Sequence, residues 1–84
     1  MAIVKGTLFE IQSSSFPIIV GEALTDVENG IFNARIYNAL YPHGTEMEIN
    51  VMAPTRIGLQ QMEYETRKRE LAKLADEGKF GWPE

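Results

Sequence analysis

The Asn29-Gly30 dipeptide, which stands between two apolar segments, constrains the fold of this chain more than any other feature. A two-residue type I′ turn needs positive φ at both central residues, and Asn-Gly adopts that conformation at little cost. The dipeptide therefore predicts a β-hairpin in which Glu28 pairs with Ile31. With this pairing one face of the hairpin is apolar and the other is mostly polar. The apolar face then holds Ala23, Val27, Phe32 and Ile36, and the polar face holds Glu22, Asp26, Asn33, Arg35 and Tyr37.

A second turn signal, Pro42-His43-Gly44, precedes an alternating segment over residues 46 to 51. Strict alternation of apolar and polar residues predicts a strand with one solvent-exposed face. Pairing Tyr41 with Glu46 places Ile36 opposite Val51, so the apolar face of the first hairpin continues across the new strand. Two independent turns thus agree on which side chains share a face.

The character of the chain changes after Ala53, where Pro54 ends the last strand. Thr55 is a candidate N-cap and Gly78 is a stop signal, so we predict a helix over residues 55 to 77. At ~1.5 Å per residue such a helix spans ~34 Å, whereas typical strands reach only ~17 to 20 Å. The helix is therefore expected to overhang the sheet. It is expected to pack on the apolar face near Ile57, Leu59 or Met62.

These patterns together predict an α+β fold: an antiparallel β-meander of three to four strands followed by one long C-terminal α-helix. The segment Ala2 to Gln12 is β-like and supplies the first strand, with a bulge expected at Gly6. The 84 residues allow one domain, 1-84, divided into a β-sheet region (1-52), the helix (55-77) and an aromatic tail (78-84). A chain of this size buries only ~60 to 65% of its unfolded surface, which favours association with a partner or a second copy.

The net charge of −4 is carried by the first part of the chain. Residues 1 to 54 hold two basic and six acidic residues, whereas residues 55 to 84 hold six of each. Because nucleic-acid binding draws on Lys and Arg at phosphates, direct nucleic-acid binding is disfavoured and a basic protein partner is favoured. The chain has no cysteine, and its longest apolar run near the start is too short to span a membrane. The sequence therefore predicts a soluble, cytoplasmic protein without a membrane partner.

No residue pattern in this sequence indicates a catalytic site. His43 is the single histidine, and its place in a Pro-His-Gly turn predicts an exposed residue rather than a general base or a metal ligand. The spacings of phosphate-binding loops, EF-hands and zinc proteases do not occur. We therefore predict a protein that is not an enzyme and that has no catalytic residue, cofactor or metal.

Two surfaces are candidates for binding a protein partner. On the polar sheet face, tyrosine rings stand among carboxylates, which suits a basic partner, although a charged face also serves solubility alone. The far part of the helix and the tail form an apolar surface that either binds a partner or a second copy, or folds back on itself. The candidate contact residues are Glu22, Tyr37, Tyr41, Glu46 and Glu48 on the sheet, and Leu71, Leu74, Phe80 and Trp82 on the helix and tail.

The predicted function is a non-enzymatic protein-protein interaction module, acting as an assembly component or a small inhibitor. Phages and other mobile elements encode many small proteins of this kind, so a phage origin is one expectation. The sequence leaves two alternative functions open. One is an accessory subunit of a larger enzyme complex, and the other is an acidic nucleic-acid mimic that occupies a basic groove.

Overall fold

A computed structural model describes residues 3 to 12 and 18 to 77 of the chain. The aromatic tail predicted over residues 78 to 84 lies outside these residues. The described chain forms a five-stranded antiparallel sheet followed by one α-helix, which confirms the predicted α+β fold. The elements are β1 (Leu8–Glu10), β2 (Val20–Ala23), β3 (Ile31–Tyr37), β4 (Thr45–Asn50), β5 (Arg56–Ile57) and α1 (Gln61–Glu77).

The sheet has the strand order β4-β3-β2-β1-β5. Its first four strands follow one another as a meander, and every pairing is antiparallel. The two-residue strand β5, which the sequence did not predict, pairs with β1 on the far side of the sheet. Strands β4 and β5 are therefore the two edges of the described sheet. No helix among the described residues is long and apolar enough to cross a membrane.

The hairpin between β2 and β3 turns at Asn29-Gly30, as predicted. Asn29 has φ 55° and Gly30 has φ 77°, and Glu28 forms a bridge with Ile31. Further along, the register departs from the prediction by two residues, because Glu22 lies opposite Arg35 instead of Tyr37. The Asn33 amide donates to Thr25 Oγ1 at 3.0 Å, which lets residues 25 to 27 bulge out of the strand. A shift of two residues leaves every side chain on its predicted face.

The connection between β3 and β4 is longer than the predicted hairpin. Strand β3 ends at Tyr37, and a turn follows in which the amides of Asn38 and Tyr41 each donate to the other's carbonyl, at 3.3 and 3.1 Å. Ile36 therefore lies opposite Thr45 rather than Val51, a displacement of six residues. Because this number is also even, the predicted faces are again kept.

One face of the sheet carries the aromatic core, and we call it the phenylalanine face. The rings of Phe9 and Phe32 meet edge to face with centroids 5.5 Å apart. A Cβ at Gly21 would lie 2.6 Å from Phe9 Cζ and 2.7 Å from Ile36 Cδ1, so the backbone and the side chains are already in close contact there. The face consists of Phe9, Gly21, Ala23, Phe32, Ala34, Ile36 and Ile49, with Val27 and Val51 packed against it.

The helix begins at Gln61, six residues later than predicted. Thr55, the predicted N-cap, instead fastens β5 to β1: its amide donates to the Glu10 carbonyl at 2.9 Å, and its hydroxyl accepts from the Gln12 amide at 3.1 Å. The amide of Gly58, which has φ 86°, donates to the Leu8 carbonyl at 2.8 Å. The helix thus has 17 residues, or about 26 Å at ~1.5 Å per residue.

The helix packs on the face opposite to the one that the sequence predicts. We call this second face of the sheet the tyrosine face; its residues on β1 to β4 are Leu8, Glu10, Val20, Glu22, Ile31, Asn33, Arg35, Tyr37, Glu46, Glu48 and Asn50. Tyr64 of the helix and Leu59 before it pack on Val20. Of the other predicted contacts, Ile57 packs against the phenylalanine face and Met62 is 78% exposed. The prediction was wrong because Leu8, Ile18 and Val20 form an apolar patch on a face that is otherwise polar.

Candidate interaction surface

The helix covers one end of the tyrosine face, where Tyr37 lies. The rings of Tyr37 and Tyr64 meet edge to face with centroids 6.1 Å apart. The Lys68 ammonium lies 4.9 Å from the centroid of the Tyr37 ring and 4.8 Å from that of Tyr64, so one cation contacts both rings. Tyr37, a predicted contact residue, is therefore half-buried beneath the helix.

The covered end holds a phenol that is chemically passive near neutral pH. Tyr64 is 2% exposed, and its hydroxyl forms no hydrogen bond within the described part of the chain. Burial raises the pKa of Tyr64, and its electrostatic interactions with the neighbouring Tyr37 and Glu22 raise it further. The hydroxyl therefore keeps its proton and does not act as a base.

An ion-pair cluster at β5 borders the same end of the face. Arg56 donates to both carboxylate oxygens of Glu63, at 2.8 and 2.9 Å. Its Nη1 also lies 3.9 Å from Glu10 Oε1, which is buried and accepts no hydrogen bond from the described residues. This bidentate ion pair joins the helix to β5, and its geometry indicates a stabilising role rather than a catalytic one.

The other end of the tyrosine face is open to solvent, and we call it the open half. Here Arg35 Nη2 donates to Glu46 Oε2 at 2.9 Å across the β3–β4 pair. This hydrogen bond and the Glu46 charge raise the pKa of Arg35. Glu48 lies opposite Asn33 and forms no ion pair with any described residue. The open half consists of exposed residues on β3 and β4, namely Ile31, Asn33, Arg35, Glu46, Glu48 and Asn50.

A shallow depression of about 840 Å³ lies beside the open half. Three acidic residues, Asp26, Glu28 and Glu48, line it together with a single basic residue, Lys5. The Lys5 amide donates to Asp26 Oδ1 at 2.9 Å, which holds the N-terminal segment against the hairpin. The other lining residues are Leu24, Thr25, Val27, Asn29, Ile31, Phe32 and Asn33. The depression is therefore negative overall.

The structure brings together only part of the predicted contact set. Glu46 and Glu48 are exposed on β4, Tyr41 is 47% exposed in the β3–β4 connection, and Glu22 is half-buried on β2. Leu71 is 0% exposed and so does not lie on the surface predicted for it, whereas Leu74 is half-buried. Phe80 and Trp82 lie outside the described residues, and their role in binding stays a prediction.

Sequence reasoning missed the contribution of the hairpin to this surface. Asp26 lies within the bulge and Glu28 directly follows it, and both join Glu48 around the depression. The alternation places Asp26 on the polar face, but it does not predict the bulge over residues 25 to 27. A cluster of acids immediately before a hairpin turn was the available signal.

His43 lies exposed in the β3–β4 connection and does not line the depression. Within residues 3 to 12 and 18 to 77, no group of three His, Asp or Glu side chains is arranged to hold a metal ion. The assembled polar groups are thus carboxylates, a guanidinium and amides at an exposed surface. Such a set can bind a charged partner through ion pairs and hydrogen bonds.

No family model matches this chain, and neither a curated protein nor a solved structure is detectably similar to it. No residue role or partner is therefore carried over from another protein. The function has to be inferred from the open half of the tyrosine face and the depression beside it.

Proposed function

We propose that this protein is a non-enzymatic protein-protein interaction module that binds a basic partner through the open half of the tyrosine face. The observation that carries the proposal is Glu48, an exposed carboxylate that forms no ion pair with any described residue and lies at the border of a negative depression. Asp26 and Glu28 add to the negative potential there. A cationic side chain of a partner would supply the missing counter-charge and would be steered toward it.

Apolar groups at both ends of β3 support a protein partner rather than a small cation. Ile31 is 43% exposed at the start of the strand, and Tyr41 is 47% exposed in the connection after it. Protein interfaces combine charged groups with aromatic and aliphatic side chains that lose water on binding. This combination is suited to an assembly component or a small inhibitor.

The proposal is tested with a hexalysine peptide and a pair of charge-neutralising variants. In Glu28→Gln/Glu48→Gln, two carboxylates of the depression lose their charge, which removes about 0.5–1 kcal/mol each if both contact the peptide. We expect affinity, measured by isothermal titration calorimetry, to fall roughly 5- to 30-fold. The salt dependence of binding should weaken as well.

The matched control is Glu65→Gln/Asp76→Asn, which changes the net charge equally on the helix. This variant should bind hexalysine nearly as well as the parent. If the two double variants lose the same affinity, the peptide responds to net charge alone, and the open half is not the binding surface.

A further inference from the structure

The backbone of β4 presents hydrogen-bonding groups away from the sheet. In an antiparallel pair, alternate residues bond to the neighbouring strand, and the residues between them point their amides and carbonyls the other way. The Val51 amide donates to the Gly30 carbonyl at 2.8 Å, which sets the phase of the ladder. Thr45, Met47 and Ile49 therefore bond to β3, whereas the backbone groups of Glu46, Glu48 and Asn50 point outward.

Five of these six outward groups have no backbone partner in the described chain. The Asn50 carbonyl accepts from the Ala53 amide at 2.9 Å, in the turn that ends the strand. The amides and carbonyls of Glu46 and Glu48 and the amide of Asn50 remain, because no described strand lies beyond β4. An edge with unpaired backbone groups is a template for another strand.

The opposite edge of the sheet offers no comparable template. Strand β5 has two residues, Pro54 precedes it, and Gly58 with φ 86° turns the chain away from it toward the helix. Strand β4 has six residues, or about 20 Å at ~3.3 Å per residue. Of the two edges, only β4 is long enough to pair with an extended segment.

The side chains of β4 specify what can lie beside it. Glu46 and Glu48 point to the tyrosine face, whereas Met47, 37% exposed, points to the phenylalanine face. A neighbouring strand therefore places basic residues beside the carboxylates and apolar residues beside Met47. A second copy fits poorly, since antiparallel β4 strands related by a two-fold axis bring Glu48 opposite a carboxylate of the other copy in either central register.

We propose that the β4 edge binds an extended segment of its partner by β-strand addition, and that this segment alternates basic and apolar residues. The inference rests on the proposed function and deepens it by naming the binding mode and the chemistry of the segment. Backbone hydrogen bonds to Glu46 and Glu48 supply affinity, and the alternating side chains supply specificity.

The test compares Glu48→Pro with Glu48→Gln, using a synthetic peptide in which Lys and Val alternate. Because the Glu48 amide points outward, proline removes that donor without breaking a hydrogen bond to β3. Glutamine removes only the charge. We expect Glu48→Pro to weaken binding by about tenfold or more beyond Glu48→Gln, measured by fluorescence anisotropy of the labelled peptide. A peptide alternating Glu and Val should not bind the parent.

Amide hydrogen exchange in the parent gives a readout that does not depend on a variant. On adding the Lys-Val peptide, the amides of Glu46 and Glu48 should become protected, whereas the Met47 amide, already bonded to β3, should change little. If Glu48→Pro loses the circular dichroism spectrum of the parent, this protection pattern alone decides the question.

The outcomes separate the two proposals. If Glu48→Gln weakens binding and Glu48→Pro adds nothing, strand addition is wrong while the charged surface stands. If the peptide protects Glu46 and Glu48 but Glu28→Gln/Glu48→Gln binds like the parent, the edge is used but the basic partner is wrong. A concentration-dependent dimer in sedimentation that Glu48→Pro abolishes would make a second copy the occupant and overturn the proposal.

Discussion

The two faces of the sheet differ in how completely their atoms are packed. On the phenylalanine face the core is in such close contact that Gly21 has no room for a Cβ. At the tyrosine face a buried hydroxyl has no hydrogen bond to a described residue, an ammonium lies over two rings, and the other half of the face is exposed to solvent. Most of the stabilising contacts of the sheet therefore lie on the phenylalanine face. The open half contributes little to the core, so its residues are available for contacts.

The largest expected effect that tests this difference comes from Phe32→Ala. Phe32 is 1% exposed and contacts Phe9, so truncation should cost ~3–5 kcal/mol of the free energy of unfolding. Small domains have only ~5–15 kcal/mol in total, so urea unfolding should shift strongly or the variant should not fold. The half-buried Tyr37 should lose clearly less on truncation to Ala. Equal losses for Phe32→Ala and Tyr37→Ala would contradict the difference between the faces.

A smaller loss of about 1–3 kcal/mol is expected for Gly21→Ala. The added methyl would lie 2.6 Å from Phe9 Cζ and 2.7 Å from Ile36 Cδ1, so the core must shift. Ile36→Val removes the Cδ1 atom and should return part of the loss when combined with Gly21→Ala. Chemical denaturation of the two single variants and the double variant gives the coupling energy. Simple additivity would show that the contact at Gly21 is not tight.

On the tyrosine face, Tyr64→Phe should leave the protein as stable as the parent or more stable by about 1 kcal/mol. The hydroxyl is buried without a hydrogen bond to described residues, so removing it removes a desolvation cost. Thermal melting of parent and variant at pH 7 measures this change. A loss of 1 kcal/mol or more would reveal a partner for the hydroxyl.

The stability of the parent and of Tyr64→Phe should also differ in its dependence on high pH. Burial raises the pKa of Tyr64 above its usual value of 10.0, so its contribution to stability is fully present below about pH 10. That contribution is lost as the pH rises through the folded-state pKa, because the unfolded chain releases the proton first. Above pH 10 the parent should therefore lose stability faster than Tyr64→Phe. Tyr37, Glu22, Glu65 and Lys68 surround residue 64 in both proteins, so equal slopes would contradict the raised pKa of the Tyr64 hydroxyl.

The smallest effect is expected for Arg56→Gln, at the border of the tyrosine face. The bidentate pair with Glu63 is partly exposed, so its loss should cost only ~0.2–1 kcal/mol. Arg67→Gln, whose ion pair with Glu70 is longer at 3.8 Å, is the control and should cost still less. Urea midpoints at low and high salt measure both, and a cost for Arg56→Gln that persists at high salt would indicate packing rather than charge.

The faces of the sheet could be predicted from the sequence, but the registers could not. The alternation of apolar and polar residues determines which side chains share a face. The register shifts of two residues in the β2–β3 pair and six residues in the β3–β4 pair are even, so they leave these faces unchanged. The shifts themselves come from Thr25 and Asn38, whose side chains accept backbone hydrogen bonds and redirect the chain. Periodicity alone does not reveal where a side chain replaces a backbone hydrogen bond of the β-ladder.

The helix and the site were harder to predict because they depend on contacts distant in sequence. Thr55 is a residue type that favours the N-cap position, but its hydrogen bonds to Glu10 and Gln12 hold it beside β1, directly before β5. The helix therefore starts late and reaches the tyrosine face, where it covers Tyr37. Glu46 and Glu48 were correctly placed on an exposed face because β4 alternates cleanly, whereas the contribution of Asp26 and Glu28 depended on a bulge.

The pairing of β5 with β1 determines where the chain leaves the sheet for the helix. Thr55 and Gly58 are bonded to β1, on the side of the sheet remote from β4. Replacements of the exposed residues of β4 therefore do not have to be accommodated by the helix. The architecture is thus a scaffold in which one strand can diversify, in evolution or in a display library, while the framework that carries it stays constant.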